Sequence, residues 1–424
     1  MTTSTSTPAT TPDQTNLMEG PTLEPGLLES VQGWWDRVRS GDVGSLPAIL
    51  GLLVLVALFS VLRPTSFPTA GNLANLLVQA AAIIVLAMGL VFVLLLGEID
   101  LSAGVAGGVA AGVMAELFRS LGVSWFVAVP AALLAGMVIG VAIGLLVAVV
   151  GIPSFVVTLA LFLALQGITL RLIGVGGTVP VNDPTVLAIA NSNVPPAAGW
   201  VLAALVSVGL IGGGVLQWYG QRRRGVSRSN LTVLLVRAVT LSVIVLAVTA
   251  VLNENRARVA TVDLSGIPYA VPLIGILLLV WSFVLGRTRY GRHIYAVGGN
   301  AEAARRAGIS VRRIRVSVFV IGSGMAALSG IIYASRLNSV TPDAGAGNTL
   351  LYAVGAAVIG GTSLFGGKGK VTNAVIGGLV IAVIDNGLGL LGQSASVNYL
   401  VSGGVLLIAA SVDAISRKRR ASAG

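Results

Sequence analysis

Apolar stretches about as long as a membrane is thick constrain this chain more than any other feature of its sequence. A helix needs about 20 apolar residues to cross a hydrocarbon core of roughly 30 Å. Residues 123–150 and 371–391 meet this length with little or no charge. Charged residues make up only 10% of the chain, against about 25% in soluble domains, and so cannot cover a soluble surface. The sequence therefore predicts an all-α polytopic membrane protein.

Twelve apolar blocks predict about 10–12 transmembrane helices. The blocks at 101–118 and 350–364 are the weakest, and either is compatible with a re-entrant segment. In the fourth block, Gly136, Gly140 and Gly144 recur at a spacing of four and predict close helix packing on one face. The blocks are residues 46–62, 76–96, 101–118, 123–150, 155–173, 199–218, 231–252, 267–285, 316–333, 350–364, 371–391 and 397–415.

Arginine-rich segments between the blocks predict the orientation of the chain. Residues 219–230, 286–315 and 416–424 are rich in arginine, which favours the cytoplasmic side of a membrane. Even numbers of blocks separate these three segments, as one consistent topology requires. Six blocks precede the first segment, so both termini are predicted to be cytoplasmic. The net charge of +11 is then a matter of topology and does not call for nucleic acid as a partner.

The chain is predicted to have three parts. Residues 1–45 form an N-terminal cytoplasmic tail, whose first 30 residues are rich in Thr, Ser, Pro and Glu and are typical of disorder. No basic segment precedes an apolar stretch there, as a secretory signal would require. Residues 46–415 form the transmembrane domain, and residues 416–424 form a basic cytoplasmic tail.

Several kinds of chemistry are excluded by residue type. The chain has no cysteine and a single histidine, so thiolate, disulfide and multi-histidine metal sites are ruled out. The glycine-rich residues 360–370 fail as a phosphate loop, because Thr362 occupies the position of the first glycine and Gly369 that of the required Ser or Thr. We therefore expect no catalytic residues, no metal, no bound cofactor and no ATPase site in this chain.

Polar residues at the apolar blocks mark candidate functional positions. Glu98, Asp100 and Ser102 lie between the second and third blocks, either in a surface loop that caps the next helix or in an intramembrane turn of a transport pathway. Asp385 and Asn386 lie inside the eleventh block. An aspartate there must face protein or water, so both a packed hydrogen bond and a pathway role stay open.

A short helix is predicted within the longest arginine-rich segment. Alanines after Asn300 favour helix, Asn300 is a good N-cap, Glu302 suits the helix N-terminus, and Gly308 can end the helix. The helix is either part of a topogenic loop or a docking surface for a cytoplasmic partner. Its residues are Asn300, Ala301, Glu302, Ala303, Ala304, Arg305, Arg306 and Gly308.

Three separated segments together resemble one family, the permease subunits of bacterial sugar ABC importers in the ribose, arabinose and xylose group. They are Gly-Glu-Ile-Asp-Leu-Ser at 97–102, the segment at 298–309, and the segment at 360–370 with Asp-Asn-Gly-Leu at 385–388. The similarity runs from about residue 46 to 415. Residues 177–200 and the extra helices at 199–285 resemble the xylose branch in particular.

The resemblance implies an ABC importer permease fold in the cell membrane and a specific set of partners. These are a second permease copy, a cytoplasmic ABC ATPase that docks at residues 300–308 and hydrolyses ATP, and an extracytoplasmic sugar-binding protein. Membrane lipid surrounds such a permease. The implied substrate is a monosaccharide, first of all D-xylose, moved by alternating access. The competing interpretation is an ion-coupled secondary transporter, in which Glu98, Asp100 and Asp385 would bind the coupling ion.

Overall fold

The computed structural model describes residues 44–223, 231–257 and 263–421. The predicted N-terminal tail lies almost wholly outside these residues. Helices dominate the described chain, and they are numbered here in chain order. They are α1 (Leu46–Leu62), α2 (Ala70–Leu95), α3 (Ala103–Leu121), α4 (Trp125–Leu145, continued by a π-helical turn at Leu146–Val150), α5 (Ser154–Ile173), α6 (Pro184–Asn191), α7 (Pro196–Arg223), α8 (Leu231–Leu252), α9 (Ala270–Arg287), α10 (Arg289–Gly299), α11 (Ala301–Arg306), α12 (Val311–Leu337), α13 (Thr349–Ile359), α14 (Val371–Leu390) and α15 (Ala395–Ala421).

Nine helices within the described ranges are long and apolar enough to cross a membrane, namely α2, α3, α4, α5, α7, α8, α9, α12 and α14. Three shorter apolar helices, α1, α13 and the first part of α15, occupy the remaining predicted blocks. The block at 101–118 thus becomes a helix of spanning length, whereas the block at 350–364 becomes a helix of only 11 residues. The all-α polytopic architecture is confirmed.

Two compact units divide the described chain. One holds residues 202–223 and 231–247, which are most of α7 and α8, and the other holds the remaining helices. In the larger unit, α2 is apolar all round and most of its surface is buried, as expected of a central helix. It packs against α12, α13 and α14, and these helices form the core around it.

The glycine face predicted on α4 is confirmed. Gly136, Gly140 and Gly144 all lie against α12, and a methyl group on Gly140 would come within 2.5 Å of the Phe319 carbonyl oxygen. Small residues therefore let the backbones of α4 and α12 approach closely.

Short antiparallel strand pairs join loops at the end of the larger unit where α12 ends. β1 (Val179–Pro180) pairs with β4 (Ser339–Val340), and β2 (Asn193–Val194) pairs with β3 (Ile267–Pro268). The first pair ties the loop after α5 to the loop after α12.

Helix boundaries correct the predicted loops in three places. Helix α7 continues to Arg223, so the first residues of the segment 219–230 are helical. The segment 286–315 contains α10 and α11 and the start of α12. The basic tail is also helical as far as Ala421, because α15 continues into it.

Candidate functional site

The three segments that carry the family resemblance meet at one end of the larger unit. The backbone N–H of Gly367 donates to the Leu95 carbonyl, at the end of α2, over 2.8 Å. The Tyr295 hydroxyl on α10 donates to the Gly369 carbonyl over 2.7 Å. A methyl group on Gly298 would lie 1.8 Å from the Leu95 carbonyl oxygen, so the backbones touch only because Gly298 has no side chain. This contact region is called the junction below, and it comprises residues 95–98, 295–299 and 365–369.

An ion pair connects the junction to the start of α12. Glu98 Oε1 lies 3.1 Å from Arg315 Nε, and their side chains are 13% and 34% exposed. The contact is close without the alignment of a hydrogen bond, because Arg315 Nε has no hydrogen-bond acceptor within the described chain. Its contribution is therefore mainly Coulombic attraction at partial burial. Sequence analysis had counted Arg315 only as one of many topogenic arginines.

Asp100 forms a side-chain turn with Ser102 just before α3. Its Oδ1 accepts from the backbone N–H of Ser102 at 2.9 Å and from the Ser102 hydroxyl at 2.7 Å. The other oxygen, Oδ2, is buried and accepts no hydrogen bond from the residues described. Burial raises the pKa of the Asp100 carboxyl, against the opposing effect of these hydrogen bonds. The neighbouring Ile99 is held by α5, because its N–H donates to Ser154 Oγ at 3.2 Å.

The predicted short helix is confirmed as α11, with the predicted cap. Asn300 Oδ1 accepts from the Ala303 N–H at 2.9 Å, and Gly308 takes a φ of 82° after the helix ends. Ala304 packs inward. The side chains of Arg305 and Arg306 are exposed and lie 2.9 and 3.3 Å from the Glu302 carboxylate. The helix therefore presents a charged outer face beside the junction.

Asp385 and Asn386 point in different directions from α14. Asp385 lines a cavity of about 260 Å³ and accepts from Asn398 Nδ2 at 3.3 Å. Asn386 makes a reciprocal amide pair with Asn72 on α2, with hydrogen bonds of 2.9 and 3.0 Å. The structure thus places Asp385 at a cavity and Asn386 in a packed contact.

The candidate acids do not form one group. Glu98 contacts Arg315 near the start of α12, whereas Asp385 lines its cavity together with Arg336 near the end of α12. The two arginines are 21 residues apart on one helix, which corresponds to about 30 Å. No group of three acidic or histidine side chains that could hold a metal ion occurs in the described ranges.

Comparison with known proteins identifies the family. The profile described as "branched-chain amino acid transport system / permease component" matches residues 72–410. The xylose transport system permease protein of Escherichia coli is 36% identical over 398 residues, which cover 93% of this chain and 97% of that protein. The chain belongs to the permease family of the sugar ABC importers. Membership makes this permease a multi-pass membrane protein and implies a separate ATPase and a binding protein as partners.

Other relatives of the permease carry related names. The xylose transport system permease protein of Haemophilus influenzae is 34% identical over 90% of this chain and 99% of its own length. The ribose import permease protein of Escherichia coli is 33% identical over 86% of this chain and 92% of its own. No solved structure matches the chain. The family description names amino acids while these relatives are named for sugars, so the substrate of this permease is argued from the relatives.

Sequence reasoning missed helix α10 and the position of Arg336 at the cavity beside Asp385. Ile294 and Val297 are buried on α10, and their spacing of three was a signal that this segment is an amphipathic helix. Arg336 gave no comparable signal, because an arginine near the end of an apolar block ordinarily reaches out to the membrane interface.

Proposed function

We propose that this permease is the transmembrane subunit of an ATP-driven importer that moves a monosaccharide, D-xylose first, across the cell membrane. The named relatives support this substrate, because the xylose permeases match nearly the whole of both chains. The observation that carries the coupling mechanism is the junction, where α10 contacts the end of α2 and leads directly into α11, which packs against α12.

In this proposal the arginine-rich end faces the cytoplasm, and both termini lie on that side. Residues 300–308 dock the ABC ATPase, with Arg305 and Arg306 offering guanidinium groups to acidic side chains of that partner. The permease forms a homodimer within lipid. The sugar-binding protein delivers its cargo at the opposite end, where the strand pairs lie.

The permease itself binds no cofactor, and ATP is hydrolysed by the partner subunits. The failed phosphate loop at 360–370 supports this proposal, since these residues form a tight turn that contacts Leu95 and Gly298. The purified permease should therefore neither bind nor hydrolyse ATP. Specific ATPase activity in a preparation free of other subunits would contradict this part.

The ion-coupled transporter receives no comparable support. A coupling ion needs several acidic or carbonyl groups at one depth, but Glu98 and Asp385 lie towards opposite ends of α12. The separation of these acids therefore favours the ATP-driven importer.

The decisive test is the reconstituted complex of permease, ATPase and binding protein in proteoliposomes. D-Xylose delivered with the binding protein should stimulate ATP hydrolysis and accumulate inside, and this uptake should persist after proton and sodium gradients are collapsed. Uptake that requires an ion gradient and does not depend on ATP would overturn the proposal.

Docking at α11 is tested by two substitutions. Glu302→Lys places a cation at the helix N-terminus and removes both contacts to the arginines, and Gly308→Val forces a left-handed backbone onto a branched residue. Each variant should insert normally and lose co-purification of tagged ATPase together with sugar uptake. Glu254→Lys is the matched control for ATPase co-purification, because it reverses an exposed carboxylate beyond the end of α8, near the strand pairs and not near α11. Full recovery of ATPase by both α11 variants would move the docking surface to residues 219–230.

A further inference from the structure

The cavity beside Asp385 has polar and charged side chains in a mainly apolar lining among membrane-spanning helices. It has a volume of about 260 Å³ and lies between α2, α3, α12, α14 and the loop after α12. Hydrophobic helices alone would give such a space an apolar lining that stays dry. Its polar groups are those of Gln79, Ser329, Arg336, Asn348, Tyr352 and Asp385.

Arg336 connects this cavity to a second polar space. The guanidinium-bearing side chain also lines an outer groove of about 310 Å³, together with Asn75, Asn191 and Asn193. The groove lies at the end where α12 finishes and where the short strand pairs are found. Arg336 is therefore the residue that the groove and the cavity share.

Arg336 and Asp385 carry opposite charges and are not joined. Arg336 is half-buried, yet within the described ranges it makes no ion pair and no hydrogen bond. Asp385 keeps one long hydrogen bond, from Asn398. An ionisable residue at membrane depth is costly, and such residues normally pair with one another or with a ligand. Two opposite charges that line one cavity without pairing leave room for a ligand between them.

We propose that Arg336 and Asp385 hold a neutral monosaccharide in transit, with the guanidinium donating to one sugar hydroxyl and the carboxylate accepting from another. This inference rests on the proposed function and assigns the sugar-contacting site of the permease. A sugar hydroxyl both donates and accepts, so one pentose can satisfy the two side chains at once. The amides of Gln79 and Asn348 add further partners, and the Asn-lined groove is the approach from the binding protein.

A zwitterionic amino acid is the rival ligand. Its carboxylate would pair with Arg336 and its ammonium with Asp385. Its side chain, if branched and aliphatic, would then need an apolar pocket. Ile83 and Leu86 do give the cavity an apolar wall, but an aliphatic side chain would leave the amide of Gln79 without a partner, and this favours the sugar.

The test uses the complete reconstituted importer and four variants of the permease. Arg336→Gln and Asp385→Asn remove one charge each and keep hydrogen-bonding capacity, and Arg336→Lys keeps the charge. Arg171→Gln is the matched control, because Arg171 also lies in the last turn of a spanning helix and lines neither the cavity nor the groove. Size exclusion and co-purification with the ATPase establish that each variant is folded.

We expect the maximal rate of D-xylose uptake to fall by about tenfold or more in Arg336→Gln and Asp385→Asn, as loss of a charged hydrogen bond predicts. The apparent KM should barely change, because the binding protein sets it. Arg336→Lys should keep an intermediate rate, and Arg171→Gln should match the unmodified protein. Xylose analogues that lack one hydroxyl should be penalised less in the variants than in the unmodified importer.

The failure of this inference is distinguishable from failure of the proposed function. If the unmodified importer takes up no D-xylose, the proposed function fails. If it does, but folded Arg336→Gln and Asp385→Asn transport at the unmodified rate, the site assignment is overturned. Competition of D-xylose uptake by L-leucine that disappears in both variants would assign the site to a zwitterion and also overturn it.

Discussion

The junction and the cavity lie towards opposite ends of the same helix and are built by opposite means. The junction is made of backbone against backbone, with carbonyl and N–H groups in direct contact where glycine leaves no side chain. The cavity is made of side chains that stop short of one another and leave charged groups unpaired. The junction is therefore closely packed, whereas the cavity has empty space and polar groups that can still form hydrogen bonds.

This difference matches the two tasks of a coupled transporter. Force from a docked ATPase must reach the membrane helices through contacts that do not deform, and close-packed backbone has this property. A substrate path must instead keep polar groups available for a ligand. If the comparison holds, substitutions in the junction should cost folding stability, and substitutions at the cavity should mainly cost transport.

The largest effect is expected at Gly298. Gly298→Ala places a methyl group 1.8 Å from the Leu95 carbonyl oxygen, so the junction must open, at a cost of about 3 kcal/mol or more. Gly299→Ala is the control, because no atom lies within 4 Å of the position its methyl group would take. Thermal unfolding in detergent should separate the two variants clearly. Equal stability would show that the junction is looser than its contacts indicate.

Substitutions of the neighbours Asp385 and Asn386 should distinguish an effect on transport from an effect on folding stability. Asn386→Leu leaves the amide of Asn72 without its reciprocal partner, and should lower the free energy of unfolding by about 1–3 kcal/mol. Asp385→Leu removes a charge from the cavity and should abolish uptake with a much smaller loss of stability. Both variants are measured by unfolding and by labelled-sugar uptake. Normal uptake and expression of Asp385→Leu would reduce Asp385 to a tolerated interface residue.

A smaller effect is expected from the ion pair that connects the junction to α12. In a double-mutant cycle of Glu98→Gln and Arg315→Gln, the coupling energy should be about 1 kcal/mol, between the values for exposed and buried pairs. High salt should reduce it only partly, because Glu98 is mostly buried. A coupling energy of zero would mean that the two side chains share the space without stabilising each other.

The smallest effect is expected from Asp100→Asn, which should raise the free energy of unfolding at neutral pH. Its folded-state pKa lies above the unfolded value because of burial. Stability from this group is therefore present at low pH and is lost as pH rises from the unfolded pKa through the folded one. Asp100→Asn keeps an acceptor for Ser102 and should remove this part of the pH dependence. Asp100→Ala is the comparison, since loss of the hydrogen bonds to Ser102 should cost about 1 kcal/mol at any pH. Identical pH profiles for Asp100→Asn and the unmodified protein would contradict the argument.

The sequence alone was sufficient for features that depend on neighbours in the chain. Apolar length located the helices, spacing of four located the packing face of α4, and the residue types at Asn300 and Gly308 located α11 with its cap. Each of these is decided within a few turns of helix, where propensity and periodicity apply directly.

Features that depend on distant parts of the chain could not be predicted in this way. The amide pair joins Asn72 to Asn386, which are 314 residues apart, and one sequence contains no information about such a partner. Helix α10 is a different case, because Ile294 and Val297 gave a local signal that the loop-like arginines and glycines of the segment obscured. The position of Arg336 at the cavity and the groove could not be predicted either, because residues from distant parts of the chain form both.

Helix α12 passes through both regions and contains no proline along its 27 residues. Its usual points for a sharp bend are the glycine–serine positions near its middle, Gly322 to Gly324 and Ser329–Gly330. Its length is about 40 Å, comparable to the thickness of the whole bilayer. A turn or tilt imposed at Arg315 would therefore reach Arg336 in full as long as these glycine–serine positions stay helical. ATP hydrolysis by the partner on one side of the membrane and sugar binding at the cavity would then be coupled through the movement of one helix.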